Sequence, residues 1–143
     1  NAIPAIEQGY LPDSISTDLH AGSRCGKAVS MIHVMSKILS IGVPLEEVIR
    51  MSTINPARHI NRTDLGSLTV GHTADIAVFE QIKGNFSYLD TSGGREYSKK
   101  KLQNVMTILD GGIVYDPAAL SYPYWRDIPE DNRYWVNSQG QLW

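Results

Sequence analysis

Apolar side chains recur at positions 28, 31, 32, 35, 38 and 39, a spacing that gathers them on one helical face and predicts a helix over Lys27 to Ile41. Gly42 is placed to end it as the left-handed residue past the last turn, with Pro44 two positions beyond. Pro44 then opens a second helix, with Glu46 and Glu47 in its first turn, where negative charge meets the positive end of the helix dipole. That helix is expected to carry Leu45, Val48, Ile49 and Met51 inward and to stop before Asn55-Pro56, with a short third helical turn from Pro56 to Ile60. Upstream, residues 1 to 10 read as the end of a helix leading into a turn at Leu11-Pro12-Asp13. Ser14 to Leu19 alternates polar and apolar only partly, as a short strand buried on both faces does.

Past Asn61 the pattern changes. Leu65 to Gly71, Ala74 to Glu80 and Phe86 to Asp90 are short, β-branched or aromatic runs punctuated by glycine, and each predicts a strand. Thr91 to Asn104 is polar and lysine-rich and reads as an exposed loop. Val105 to Leu109, then Asp110-Gly111-Gly112, then Ile113 to Tyr115 predicts a hairpin, because glycine-containing turns allow the positive φ that such connections need. The chain therefore divides near residue 62, helical before and β after. Pro117 to Trp143 holds all three tryptophans and cannot be one long helix, given Pro123 and Pro129. It reads as an aromatic arm packed over a neighbouring surface, since disordered segments are poor in aromatics.

Composition narrows the function classes. A chain of 143 residues with 42% hydrophobic and 20% charged residues fits one globular domain or two small pieces. A formal net charge of −2 offers no field for nucleic acid or an anionic membrane, and no apolar run approaches the roughly 18 residues of a bilayer span. The single cysteine, Cys25, excludes an internal disulfide framework. The opening Asn1-Ala2-Ile3-Pro4 has neither Met nor a signal-peptide pattern and reads as starting mid-protein; a cytoplasmic location is the expectation.

The candidate chemistry centres on Ser16-Thr17-Asp18-Leu19-His20, a carboxylate and an imidazole at the exit of a strand-like run. Parallel α/β folds place catalytic groups at such exits, but aspartate is also a common capping residue, and from spacing alone both readings stand. His20 lies two residues beyond Asp18, on the same side of an extended strand. Gly22-Ser23-Arg24-Cys25-Gly26-Lys27 invites a phosphate-cradle reading, yet a P-loop needs four residues between its glycines and a Ser or Thr after the lysine; here there are three, and Ala28 follows. The glycines are better read as letting the loop turn. Cys25 has an arginine neighbour, but a nucleophile also needs a positioned base, and it is read as a loop thiol. His33 reads as a packed helix residue, and His59 and His72 as surface groups; no histidine pair has zinc-site spacing.

Gln8 to His20, taken with three later segments, resembles the amidohydrolase superfamily, and most nearly its dihydroorotase-like amidohydrolase/deacetylase metallohydrolases. The later segments are Met35-Ser36-Lys37 with Gly42-Val43-Pro44-Leu45, then Ser52-Thr53-Ile54-Asn55-Pro56-Ala57-Arg58, then Leu65 to Phe79, which carries a Gly-x-Leu-x-x-Gly-x-x-Ala-Asp pattern. The four stand in the family's order and cover residues 1 to about 116. The resemblance implies an α/β fold: residues 1–62 as the C-terminal end of a (β/α)8 barrel with its last strand and helices, and residues 63–116 as C-terminal strands of a small β-sandwich. Residues 117–143 fall outside it as the aromatic-rich arm.

By the same resemblance the chain is a fragment of a metal-dependent hydrolase that cleaves a C–N amide bond, an N-acetyl group among the candidates, or an ester, in a small-molecule substrate. The cofactor implied is a divalent metal, zinc first, as one or two ions whose other ligands precede residue 1. Asp18 carries over as catalytic proton shuttle and metal ligand, and His20 as a substrate-binding group at the same barrel mouth. Asp75, Asn55 and Arg58 are assigned to turn geometry and helix ends. A homo-oligomer stays open. The alternatives are a non-catalytic amidohydrolase-like scaffold or binding protein, and an autonomous module, the latter disfavoured because one barrel strand and half a sandwich leave apolar faces and sheet edges uncovered.

Overall fold

A computed structural model describes residues 2–23, 26 and 28–129. Helix α1 spans Ala2–Glu7 and ends at Gly9, whose φ is +85°. Helix α2 spans Met31–Ser40. It starts four residues later than its apolar spacing predicts because Ser30 caps it, the Ser30 hydroxyl accepting from the His33 N–H at 3.2 Å. Gly42 ends it as expected, at φ +96° and donating to the Leu39 carbonyl. Helices α3 (Leu45–Ser52) and α4 (Ile54–His59) follow. Pro44 stands at the α3 N-cap with Glu46 and Glu47 in the first turn, but only Val48 and Met51 are buried. Leu45 and Ile49 are exposed among the described residues; a helix of eight residues turns a narrow stripe to the core.

The β region departs further from expectation. Strand β1 is one continuous element, Ile76–Leu89, that absorbs two predicted strands. The predicted lysine-rich loop is instead most of β2, Arg95–Leu109, paired antiparallel along β1. Its lysines stand on an open ribbon where strands need no apolar alternation. The turn between them is held by Asp90, whose Oδ1 accepts from the Ser92 and Gly94 N–H groups at 2.8 and 2.6 Å. The predicted hairpin is present: β3, Gly112–Tyr115, pairs with β2 across Asp110 and Gly111, both at positive φ (+48° and +78°). Asp75 Oδ1 accepts from the Asp110 N–H at 2.8 Å, so it does serve turn geometry.

Two predicted strands are absent among the described residues. Ser14 to Leu19 pairs with no other segment as a ladder, and its one backbone bond to the body runs from the Ile15 N–H to the Met51 carbonyl at 3.1 Å. Leu65 to Gly71 forms turns, with Val70 fully exposed. The sheet is antiparallel, in the order β1-β2-β3. Leu120, Tyr122, Tyr124 and Trp125 of the expected arm are exposed rather than packed; residues 130–143, and the readings placed on Arg24, Cys25 and Lys27, lie outside the described residues.

The core forms where α2 and α3 meet β2: Met35, Val43, Val48, Met51 and Leu102 are buried together, with Ile6, Ile15 and Phe79 packed against them. Ser36 is a polar pin within it, 1% exposed. Its hydroxyl donates to the Ile32 carbonyl at 2.8 Å and accepts from the Leu102 N–H at 3.0 Å, on the β2 edge that β3 does not reach. Ser36→Ala leaves a buried N–H without an acceptor. We expect a loss of about 1–3 kcal/mol, read as a lower urea midpoint with unchanged slope.

His33 is half-buried and sets its ring edge against Tyr88, centroids 5.3 Å apart at 86°. Burial, and then the charge of Lys37, hold its pKa below the ordinary 6.5. The unfolded chain therefore takes up this proton at a higher pH than the folded one. Stability from the neutral ring is complete above pH 6.5 and is lost as pH falls below it towards the folded pKa. His33→Phe, which keeps an aromatic ring there, is expected to flatten the fall of the denaturation midpoint between pH 7 and 5.

Candidate active site

The segment bearing Asp18 is tied to the helical layer from two sides. Besides the Ile15–Met51 bond, Asn55 Nδ2 donates to the Asp13 carbonyl at 2.8 Å, so Asn55 does join a helix to a neighbouring segment. Arg58, given a similar task from the sequence, instead has an exposed side chain with no hydrogen bond among the described residues.

At Asp18 the chain leaves the extended conformation, with φ +43°. Aspartate is one of the few residues with a side chain that enters this region without severe penalty, and the strain is on the order of 1 kcal/mol. The carboxylate is exposed and makes no hydrogen bond or ion pair among the described residues. The Asp18 backbone carbonyl, by contrast, has two partners. His20 Nδ1 lies 2.7 Å from the Asp18 carbonyl oxygen. A carbonyl only accepts, so Nδ1 carries the proton, and in the neutral ring Nε2 keeps its lone pair. Ser23 Oγ lies 3.1 Å from the carbonyls of Asp18 and His20 and accepts from the His20 N–H at 2.9 Å.

Asp18 and His20 thus come together through a tight turn, not through the pleat of a strand. Both line a cavity of about 410 Å³ with Ser16, Thr17, Ser23, Lys37 and Thr91. His20 also borders a second, apolar cavity of about 630 Å³ with Leu19, Ala21 and Val29. Its ring lies over Gly22, where a Cβ would stand 3.3 Å from Nε2. His20 thus borders both a cavity with polar lining and an apolar one.

Sequence reasoning missed three residues here. Lys37 comes from α2 and donates to the Leu89 carbonyl at 2.5 Å; its place beside the apolar stripe of the helix was a usable signal. Thr91 arrives from the β1–β2 turn, across a distance in sequence that no local pattern spans. Ser23 stands in the glycine-bounded loop, where the spacing points only to a turn. His59 is exposed, and His72 is half-buried with Nδ1 3.0 Å from Ser67 Oγ, so neither reaches this cavity.

For a divalent metal, Asp18 offers one carboxylate, a hard oxygen ligand with no partner among the described residues. Among the described residues no cluster of three or more His, Cys, Asp or Glu could hold an ion, whereas a zinc site takes at least three protein ligands. Asp18 fits the share of a single ligand. No described helix is long and apolar enough to cross a membrane.

Residues 1–115 match the sequence model of the Amidohydrolase family. A deacetylase of Agrobacterium fabrum is 32% identical over 139 residues, covering 97% of this chain and 32% of the relative. A deacetylase of Brucella anthropi is 40% identical over 89 residues, covering 62% of this chain and 22% of the relative. Among solved structures, an adenine deaminase superposes with a TM-score of 0.76 at 29% identity, over 80% of this chain and 31% of that one. A dihydroorotase superposes with a TM-score of 0.73 at 32% identity over the same shares. The chain spans between 22% and 32% of the length of these curated relatives. With four-fifths of its length matched by the family model and its fold shared with those two enzymes, the chain belongs to the amidohydrolase family.

Proposed function

We propose that this chain is the C-terminal part of a metal-dependent hydrolase that cleaves a C–N bond, an N-acyl amide before an ester, in a small molecule. The observation that carries the reading is Asp18: a carboxylate without a partner among the described residues, at positive φ, lining a cavity, in a chain of this family. The names of its relatives agree on the bond, since deacetylation, deamination and dihydroorotate chemistry all involve hydrolysis at carbon bound to nitrogen. The two deacetylases favour removal of an acyl group over deamination.

In this reading the residues up to 62 close a (β/α)8 barrel, residues 63–116 contribute to a small β-sandwich, and the remaining metal ligands come from outside the described residues. A divalent metal, zinc in our reading, supplies when bound a Lewis acid that lowers the pKa of water and polarises the substrate carbonyl. Asp18 takes the proton of the water whose oxygen attacks the carbonyl carbon. It returns that proton to the nitrogen as the C–N bond breaks, so the products are a carboxylic acid and an amine. His20, with Nε2 unprotonated in the neutral ring, accepts a hydrogen bond from the substrate beside the reacting carbonyl.

The test is turnover by the full-length protein, purified with zinc, on a panel of N-acetyl amino acids, followed by acetate release. Expected is release that stops when a chelator strips the metal and returns with zinc. A zinc-loaded, folded protein with no turnover on N-acyl, cyclic amide or amino-heterocycle substrates contradicts the reading.

A further inference from the structure

We infer that Ser23 is the positioning residue of this site: its hydroxyl locks the turn that aims the Asp18 carboxylate and fixes the ring of His20. The inference rests on the proposed role of Asp18, and it extends that role to a residue with no contact to the reacting atoms.

Ser23 is 8% exposed, one of two polar residues buried among the described ones, the other being the core pin Ser36. Its N–H and hydroxyl both bond backward into the turn, while its carbonyl accepts from the Ala28 N–H at 3.1 Å. Its backbone N–H donates to the His20 carbonyl at 3.0 Å. Its Oγ accepts from the His20 N–H at 2.9 Å, and its single proton is shared between the Asp18 and His20 carbonyls, both at 3.1 Å. The Asp18 carbonyl therefore receives two donors, this hydroxyl and His20 Nδ1–H at 2.7 Å.

Holding that carbonyl fixes ψ at Asp18 and blocks the easiest return of the residue from φ +43° to the extended basin. The direction of its Cβ follows. The same carbonyl anchors the imidazole, so one buried hydroxyl governs both Asp18 and His20 at the cavity. Serine suits the task. Alanine lacks the hydroxyl that reaches these backbone groups. Catalytic groups lose rate when their supporting contacts loosen, even by small displacements.

The test compares Ser23→Ala and Ser23→Thr in the full-length, zinc-loaded protein, with N-acetyl amino acids as probe and hydrogen–deuterium exchange as a second readout. Loss of one hydrogen bond holding the turn is expected to lower kcat about five- to tenfold in S23A, with KM little changed. The peptide spanning residues 16–22 exchanges about tenfold faster, because the His20 N–H has lost its acceptor, while peptides of α2 and β2 keep their protection. S23T, which retains the hydroxyl, restores both values towards wild type. The proposal is overturned if exchange at residues 16–22 is unchanged in S23A, if it rises with kcat unaffected, if it rises equally across the core, or if S23T is as defective as S23A. A wild-type protein without turnover sinks the proposed function instead, and the exchange comparison then decides alone whether Ser23 holds the turn.

Discussion

Asp18→Asn in the full-length protein is expected to lower kcat by about 10²- to 10⁴-fold, the usual worth of a positioned general base, with the fold intact. The choice of asparagine matters. Asp18 sits at φ +43°, and asparagine shares the tolerance of aspartate for that region, so the variant removes a charge without removing a conformation. Nor does it break a contact, since the carboxylate has no protein partner among the described residues. The thermal midpoint should stay within a degree or two of wild type, and zinc content should be measured beside it. Loss of turnover with metal retained marks a proton shuttle; loss of both marks a ligand. Near-normal turnover with metal bound removes Asp18 from the mechanism. Asp18→Ala is the less informative variant, because alanine also destabilises the turn and confounds the two effects.

What could be read from the sequence was what is determined locally. Gly42 ends α2 and Asp110-Gly111 makes a hairpin because positive φ is a property of one or two residues. Pro44, Glu46 and Glu47 mark the start of α3 for the same reason. The errors lie where a partner elsewhere in the chain decides. Thr91 to Asn104 has the composition of a loop because Lys99 and Lys100 face solvent on a ribbon strand, and only the ladder with β1 makes it a strand. Ser14 to Leu19 and Leu65 to Gly71 have strand-like composition, yet no segment among the described residues pairs with them.

The site shows the same division. Asp18 and His20 were legible as a pair, but for a different geometry: two residues apart on a strand became carbonyl and ring in a turn. The buried hydroxyl that makes the turn is three residues further on, inside a glycine-bounded loop that resembled a phosphate cradle only in composition. The family resemblance identified the segment through the order of four motifs. It could not supply the backbone angle at Asp18 or the hydrogen bonds that hold it.

The second large effect is expected at the glycines of the Gly66-Ser67-Leu68-Thr69-Val70-Gly71 run, and the two should behave differently. Both have positive φ, +75° at Gly66 and +93° at Gly71. A side chain at Gly71 meets nothing within 4 Å, so Gly71→Ala incurs backbone strain alone, about 1 kcal/mol. At Gly66 a Cβ would stand 2.7 Å from the carbon and oxygen of the Thr53 carbonyl and 2.8 Å from the Ile54 nitrogen. These are backbone atoms at the junction of α3 and α4, and no rotamer change can move them aside. Gly66→Ala therefore adds overpacking to strain, for a loss of about 3 kcal/mol or more. That is a large share of the stability of an ordinary domain. Urea unfolding of the two variants side by side isolates the close approach, since strain is common to both. Equal losses would mean that the Gly66 backbone does not lie against the Thr53–Ile54 peptide. A difference of about 2 kcal/mol identifies that contact as the reason a glycine stands first in the run, where it presses the entry into the sheet against the helices that carry the Asp18 segment.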